Sequence, residues 1–153
     1  MASTINTSLT PTTGIIITAD SSGDLSLQNN GTTALSLSGG KVVNPSITNY
    51  TETAYTANSS TAITLALTNG TVQIITLTGN ATITMPAASA GKSFLLILRQ
   101  DATGSRTVTW STVNWPSATA PTITATASKQ DIYSFFSDGV SWYGVTIGQN
   151  YTQ

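Results

Sequence analysis

Apolar residues recur at every second position over short runs, and Gly, Asn, Asp or Pro interrupt those runs. This is the pattern of half-buried β-strands bounded by turns. No stretch keeps a 3.6-residue period over helical length, so no helix longer than two turns is expected. In the first region, Gly14 to Ala19 holds Ile15, Ile16 and Ile17. Asp24 to Gln28 puts Leu25 and Leu27 on one face, and Thr32 to Ser38 does the same with Leu35 and Leu37. Asn29-Asn30-Gly31 predicts a hairpin, because Asn and Gly accept the positive φ of tight turns. Three short strands cannot bury much surface alone. Residues 1–46 are therefore expected to form an extended β arm. It would be anchored on another chain through Ile15, Ile17, Leu25, Leu27, Leu35 and Leu37.

Residues 47–153 are more regular. Strands are expected over Thr61–Leu67, Thr71–Thr78, Ala81–Met85, Ser93–Gln100, Arg106–Trp110, Thr122–Thr126, Asp131–Ser137 and Val140–Ile147. Asn69-Gly70, Gly79-Asn80 and Asp138-Gly139 look like hairpin turns. The spacing points to an all-β fold, an antiparallel β-sandwich of jelly-roll-like type. Two strands break the alternation. Phe94-Leu95-Leu96-Ile97-Leu98 is apolar at both parities, and Ile132/Phe136 oppose Tyr133/Phe135. A strand with one wet face alternates cleanly. These two are expected to be covered twice, by the opposing sheet and by the arm or a second subunit.

Composition changes this picture by exclusion. Charged residues make up 7% of the 153, with a net charge of −1, so nothing marks a surface for nucleic acid or anionic lipid. Polarity comes instead from Ser, Asn and Thr, the last about a fifth of the chain. No apolar run approaches the ~20 residues of a spanning helix. Cys and His are both absent, which removes thiolate chemistry and the commonest general base and metal ligand. The start, Met1-Ala2-Ser3-Thr4-Ile5-Asn6, lacks the features of a signal peptide, and assembly in a cytoplasm is expected.

Candidate chemistry is sparse. Ala90-Gly91-Lys92-Ser93 resembles the end of a phosphate loop, but Pro86 stands where the first Gly is needed and a strand follows. Of the carboxylates, Asp20 and Asp24 flank one turn, and Asp101 and Asp138 lie in turns where Asp has a local backbone role. No catalytic pair or calcium loop is evident. The Asn-x-Ser/Thr triplets are what chance gives in such a composition. No cofactor, metal or catalytic residue is expected. Aromatics in such a fold chiefly fill the core or a subunit contact; Trp115, Tyr143 and Tyr151 are the candidates for glycan stacking or an interface, with Trp115, in a loop beside Pro116, the best placed to be exposed.

Arg99-Gln100-Asp101-Ala102-Thr103-Gly104-Ser105-Arg106-Thr107-Val108-Thr109-Trp110 resembles part of a domain that recurs in virion proteins of tailed bacteriophages. The likeness continues through Asn114-Trp115-Pro116, Asp131-Ile132-Tyr133-Ser134-Phe135 and Ser137-Asp138-Gly139-Val140-Ser141-Trp142-Tyr143-Gly144, over roughly residues 60–148. Ser117-Ala118 stand where many relatives have glycines. The resemblance implies a non-enzymatic virion structural protein, with a homotrimer as the expected assembly. The first expectation is a capsid decoration (cement) protein held on the major capsid protein or another virion protein by the arm. The alternative is a short tail or head fibre meeting a host glycan. A polysaccharide depolymerase ranks last, for want of His and of a carboxylate pair. Neither nucleic acid nor membrane is an expected partner.

Overall fold

A computed structural model describes residues 46–153 together with Gln28–Asn29 and Thr32–Thr33. The anchoring residues assigned to the arm, Ile15 to Leu37, lie outside the described residues. The chain divides into two units, Met1–Thr48 and Asn49–Gln153. In the first, β1 (Gln28–Asn29) pairs antiparallel with β2 (Thr32–Thr33), Asn29 opposite Thr32.

The second unit is built from nine strands: β3 (Ala54–Ser59), β4 (Ala62–Thr64), β5 (Val72–Leu77), β6 (Ala81–Thr84), β7 (Ser93–Gln100), β8 (Val108–Ser111), β9 (Val113–Asn114), β10 (Lys129–Ser137) and β11 (Trp142–Thr152). Its two 3-10 turns, Leu67–Asn69 and Pro116–Ala118, are the only helical elements among the described residues. A six-stranded sheet has the order β3-β5-β7-β10-β11-β9, and a three-stranded sheet has the order β4-β6-β8. The core lies between them. Alternate residues of each strand point inward: Ile75 and Leu77 from β5, Phe94, Leu96 and Leu98 from β7, Tyr133 and Phe135 from β10, facing Ile83 of β6 and Leu65.

The winding departs from the antiparallel order expected from sequence. β3, β5 and β7 run parallel, as do β4, β6 and β8. Within this unit only β7/β10 and β10/β11 are antiparallel, and β9 joins β11 in parallel. The chain climbs in coils, each giving one strand to the large sheet and the next to the small one. Asn69-Gly70 and Gly79-Asn80 are therefore corners, not hairpin turns. The connection from β3 to β5, residues 60–71, has the dozen-residue length that a parallel crossover needs. Asp138-Gly139 does close a hairpin, between β10 and β11.

Stacked coils repeat their inward residues. Ala57, Ile75 and Leu98 form one row, Ile63, Ile83 and Trp110 another. At the corners the coils bond each other: Thr78 N–H donates to Ser59 O (2.9 Å) and Thr82 N–H to Thr61 O (2.9 Å). Gly79 is needed there, because a Cβ would run into the Ser60 carbonyl. Two buried glutamines bond the backbone of the corners. Gln73 Nε2 donates to Ala66 O and Gly70 O, both at 3.1 Å. Gln100 Nε2 donates to Arg106 O (2.9 Å) and Thr124 O (2.8 Å), while its Oε1 accepts from Arg106 N–H. A backbone carbonyl turned inward is costly without a donor, which explains polar residues at core parity.

Candidate functional site

The outer face of the large sheet is apolar and open. Leu95, Phe136, Tyr143, Val145 and Ile147 are each 39–54% exposed. The register puts Val72, Leu95, Ser134 and Val145 in one row and Ile74, Ile97 and Ile132 in the next. This is the second face of the doubly apolar strands. Contiguous apolar surface of this kind is uncommon on a monomer and marks an interaction surface. Tyr143 stands at one end of it, and its hydroxyl donates to Asp138 Oδ2 at 2.9 Å. The Asp138 carboxyl is held below the usual carboxylate range, chiefly because it accepts the backbone N–H groups of Ser141 and Val140. The same bond pushes the Tyr143 hydroxyl up.

Trp115 is not exposed. It is 8% accessible and packs edge-on against Trp110 (5.1 Å between centroids), Phe135 (5.7 Å) and Tyr133 (5.9 Å). Its pocket exists because position 144 is glycine: a Cβ there would stand 2.6 Å from the indole. The expectation of an exposed, sugar-stacking Trp115 is corrected. A Trp-Pro loop gives no sign of which way the indole turns, and the three short strands of the small sheet leave room for it to turn inward. Tyr151 is part exposed and lies across Gly148, where its ring occupies the space of a Cβ. Trp115, Tyr143 and Tyr151 are thus a core residue, an outer-face residue and a residue near the end of the chain, and they do not share one described site.

Asp131 is the buried charge of the unit, 1% exposed. Its Oδ2 accepts Thr124 N–H (2.7 Å), Tyr133 O–H (3.1 Å) and Gln149 Nε2 (3.2 Å), and its Oδ1 accepts Asn150 N–H (2.9 Å). Burial alone would raise its pKa. The backbone N–H groups of Thr124 and Asn150 and the Gln149 amide outweigh that and lower it. Burial and the neighbouring Asp131 charge push the Tyr133 hydroxyl up, so it stays a donor. The arrangement joins the 124 loop, β10 and the end of β11. It is a structural knot, and among the described residues no second carboxylate bonds into it. Sequence reasoning passed over Asp131, Gln73 and Gln100. Their signal was a polar residue at inward parity inside an apolar strand.

A cleft of about 600 Å3 lies at one end of the unit, between the loop after β6 (Pro86 to Ala88), the β8–β9 corner (Thr112) and the β10–β11 turn (Val140 and Ser141). Trp142 lines it, with its Nε1 donating to Pro86 O at 2.8 Å. Thr112 has φ 62°. For a β-branched residue this is an outlier that costs about 1–3 kcal/mol, and such strain clusters at functional sites. Among the described residues, no group of His, Cys, Asp and Glu is placed to hold a metal ion.

The described unit of the protein is a β-built body with an open apolar face. It is a structural protein of the tailed-phage particle. The family model described as "Putative phage tail fibre C-terminal domain" matches residues 45–142, which is most of the coiled unit. The chain belongs to this family of tail fibre C-terminal domains. Families of tail fibre domains are generally structural rather than catalytic. No curated protein and no solved structure matches the chain.

Proposed function

We propose that the chain forms the host-facing end of a short tail fibre, assembled as a homotrimer and meeting a glycan on the bacterial surface. The observation that carries the reading is the family match, which covers most of the coiled unit and names a fibre domain. It favours the fibre over the capsid decoration expected first from sequence. The open outer face supports the trimer. Leu95, Phe136, Val145 and Ile147 present apolar surface with little charge, and covering it with sister subunits removes that surface from water. In this reading, residues 1–46 fasten the fibre to another virion protein. The test is adsorption competition. Purified protein added to cells of the phage's bacterial host should saturate the receptor and slow particle adsorption in a dose-dependent way. Adsorption that is unchanged at saturating protein overturns the host-contact reading.

A further inference from the structure

We infer that the cleft between Pro86, Thr112 and Ser141 is the saccharide site of the module, and that it takes an uncharged sugar. The inference rests on the host-contact reading above and assigns that contact to a place and a ligand class. None of the residues lining the cleft is charged. A sialylated, phosphorylated or uronic-acid unit would find no cation among the lining residues, and an amino sugar with a free ammonium would find no carboxylate among them. The lining instead offers the hydroxyls of Thr84, Thr112 and Ser141 and the amide of Asn114, beside the apolar surfaces of Pro86 and Val140. Hydroxyls and an amide both donate and accept, which suits a ligand made of hydroxyl groups. The apolar edges suit the C–H face of a pyranose ring. The volume, about 600 Å3, lies within the ~300–1,000 Å3 of small-molecule clefts and admits a short saccharide.

The walls are fixed before any ligand arrives. Ser137, fully buried, ties one wall to the other: its Oγ accepts Ser89 N–H and Gly139 N–H, both at 3.2 Å, and its carbonyl accepts Gly91 N–H at 2.9 Å. Asp138 Oδ1 accepts the N–H groups of Val140 and Ser141 (2.8 Å each), which sets the turn that presents the Ser141 hydroxyl. The indole of Trp142 holds Pro86 at the floor. A site whose walls are already ordered spends less of its contact energy on ordering them. The strained Thr112 is part of its lining. The aromatics singled out from sequence are not needed: Trp115 and Tyr151 lie outside the cleft lining, and so does the ring of Tyr143.

The experiment uses the full chain, labelled with a fluorophore, against an array of neutral oligosaccharides built from hexoses and N-acetylhexosamines. Matched saccharides carrying carboxylate or phosphate stand beside them. Ala87→Trp places a bulky side chain in the cleft from an exposed position, and Asn114→Ala removes the amide. Binding to a neutral saccharide is expected, with a loss of at least about tenfold in each variant at unchanged melting temperature. One outcome separates this inference from the reading beneath it. If wild type and both variants bind host cells equally well, the cleft is not the site and the host-contact reading stands. Binding confined to the charged saccharides, or cell binding with no saccharide bound, also overturns the inference. Failure of the wild-type protein to bind cells at all sinks the host-contact reading and the inference with it. Should either variant fail to fold, Ser141→Ala and Thr84→Val, tested together, carry the same expectation.

Discussion

Replacing Asp131 with alanine should remove about 3–5 kcal/mol of stability at pH 7. The carboxylate is 1% exposed and accepts from four donors. Truncation leaves those donors without their acceptor. Gln149 loses least, because it is exposed and its amide also reaches Thr122 O at 2.7 Å. The backbone N–H groups of Thr124 and Asn150 and the hydroxyl of the fully buried Tyr133 remain. A buried donor left unpaired costs about 1–3 kcal/mol, and removing one partner of a buried charged network costs about 3–5. Asp131→Asn keeps one acceptor but turns an amide N–H₂ toward other donors, so its cost should fall between wild type and alanine. The pH dependence has a definite sign. The native pKa is lowered, so the carboxylate's stabilisation is complete above the ordinary aspartate value of about 3.9 and drains away as pH falls through the native value. Urea unfolding followed by tryptophan fluorescence, at pH 7 and in steps down to pH 3, reads both effects. The gap between wild type and Asp131→Ala should narrow as the solution is acidified below about pH 4. A gap under about 1 kcal/mol at pH 7, or one that does not narrow, refutes the knot.

Three further outcomes follow from the packing. Gly144→Val pushes a side chain into the Trp115 ring and should cost about 1–3 kcal/mol in the same assay. Trp115→Ala should cost about 3–5 kcal/mol, as a core truncation does, and a surface-like cost would restore the exposed-aromatic reading. Leu95→Asp together with Val145→Lys, both on the open outer face, should convert the proposed trimer to a monomer in sedimentation velocity. The near-UV circular dichroism of the folded unit should survive, and a persisting trimer would move the subunit contact elsewhere.

Most strand positions were legible, β3 (Ala54–Ser59) and β9 (Val113–Asn114) excepted, and strand direction was not. Ser93–Gln100 is a strand over the span its apolar run indicates, and Asp131–Ser137 and Thr71–Thr78 fall within two residues of β10 and β5. Inward and outward residues alternate in the same way whether neighbours run parallel or antiparallel. The pattern in Thr71–Thr78 therefore could not say that Val72 pairs in parallel with Leu95. Turn chemistry misled for a related reason. Asn69-Gly70 supplies positive φ at Gly70, which serves a corner between sheets as well as a hairpin. The clue to parallel pairing was present in Phe94–Leu98, since unbroken apolar strands accompany parallel sheets. Thr122–Thr126 alternates but forms no strand, because Thr124 N–H is taken by Asp131 and the Thr124 carbonyl by Gln100. The cleft was hidden because its walls come from three loops far apart in the chain, and two of them are joined through Ser137 and through the Trp142 indole.

The central claim is that this module sits at the end of a tail fibre. Antibody raised against residues 49–153, bound to intact particles and imaged by negative-stain electron microscopy, tests it directly. Label at the tips of tail appendages, in the few copies a fibre set provides, is the result the account predicts. Label spread over the head shell would contradict it and return the chain to the capsid surface.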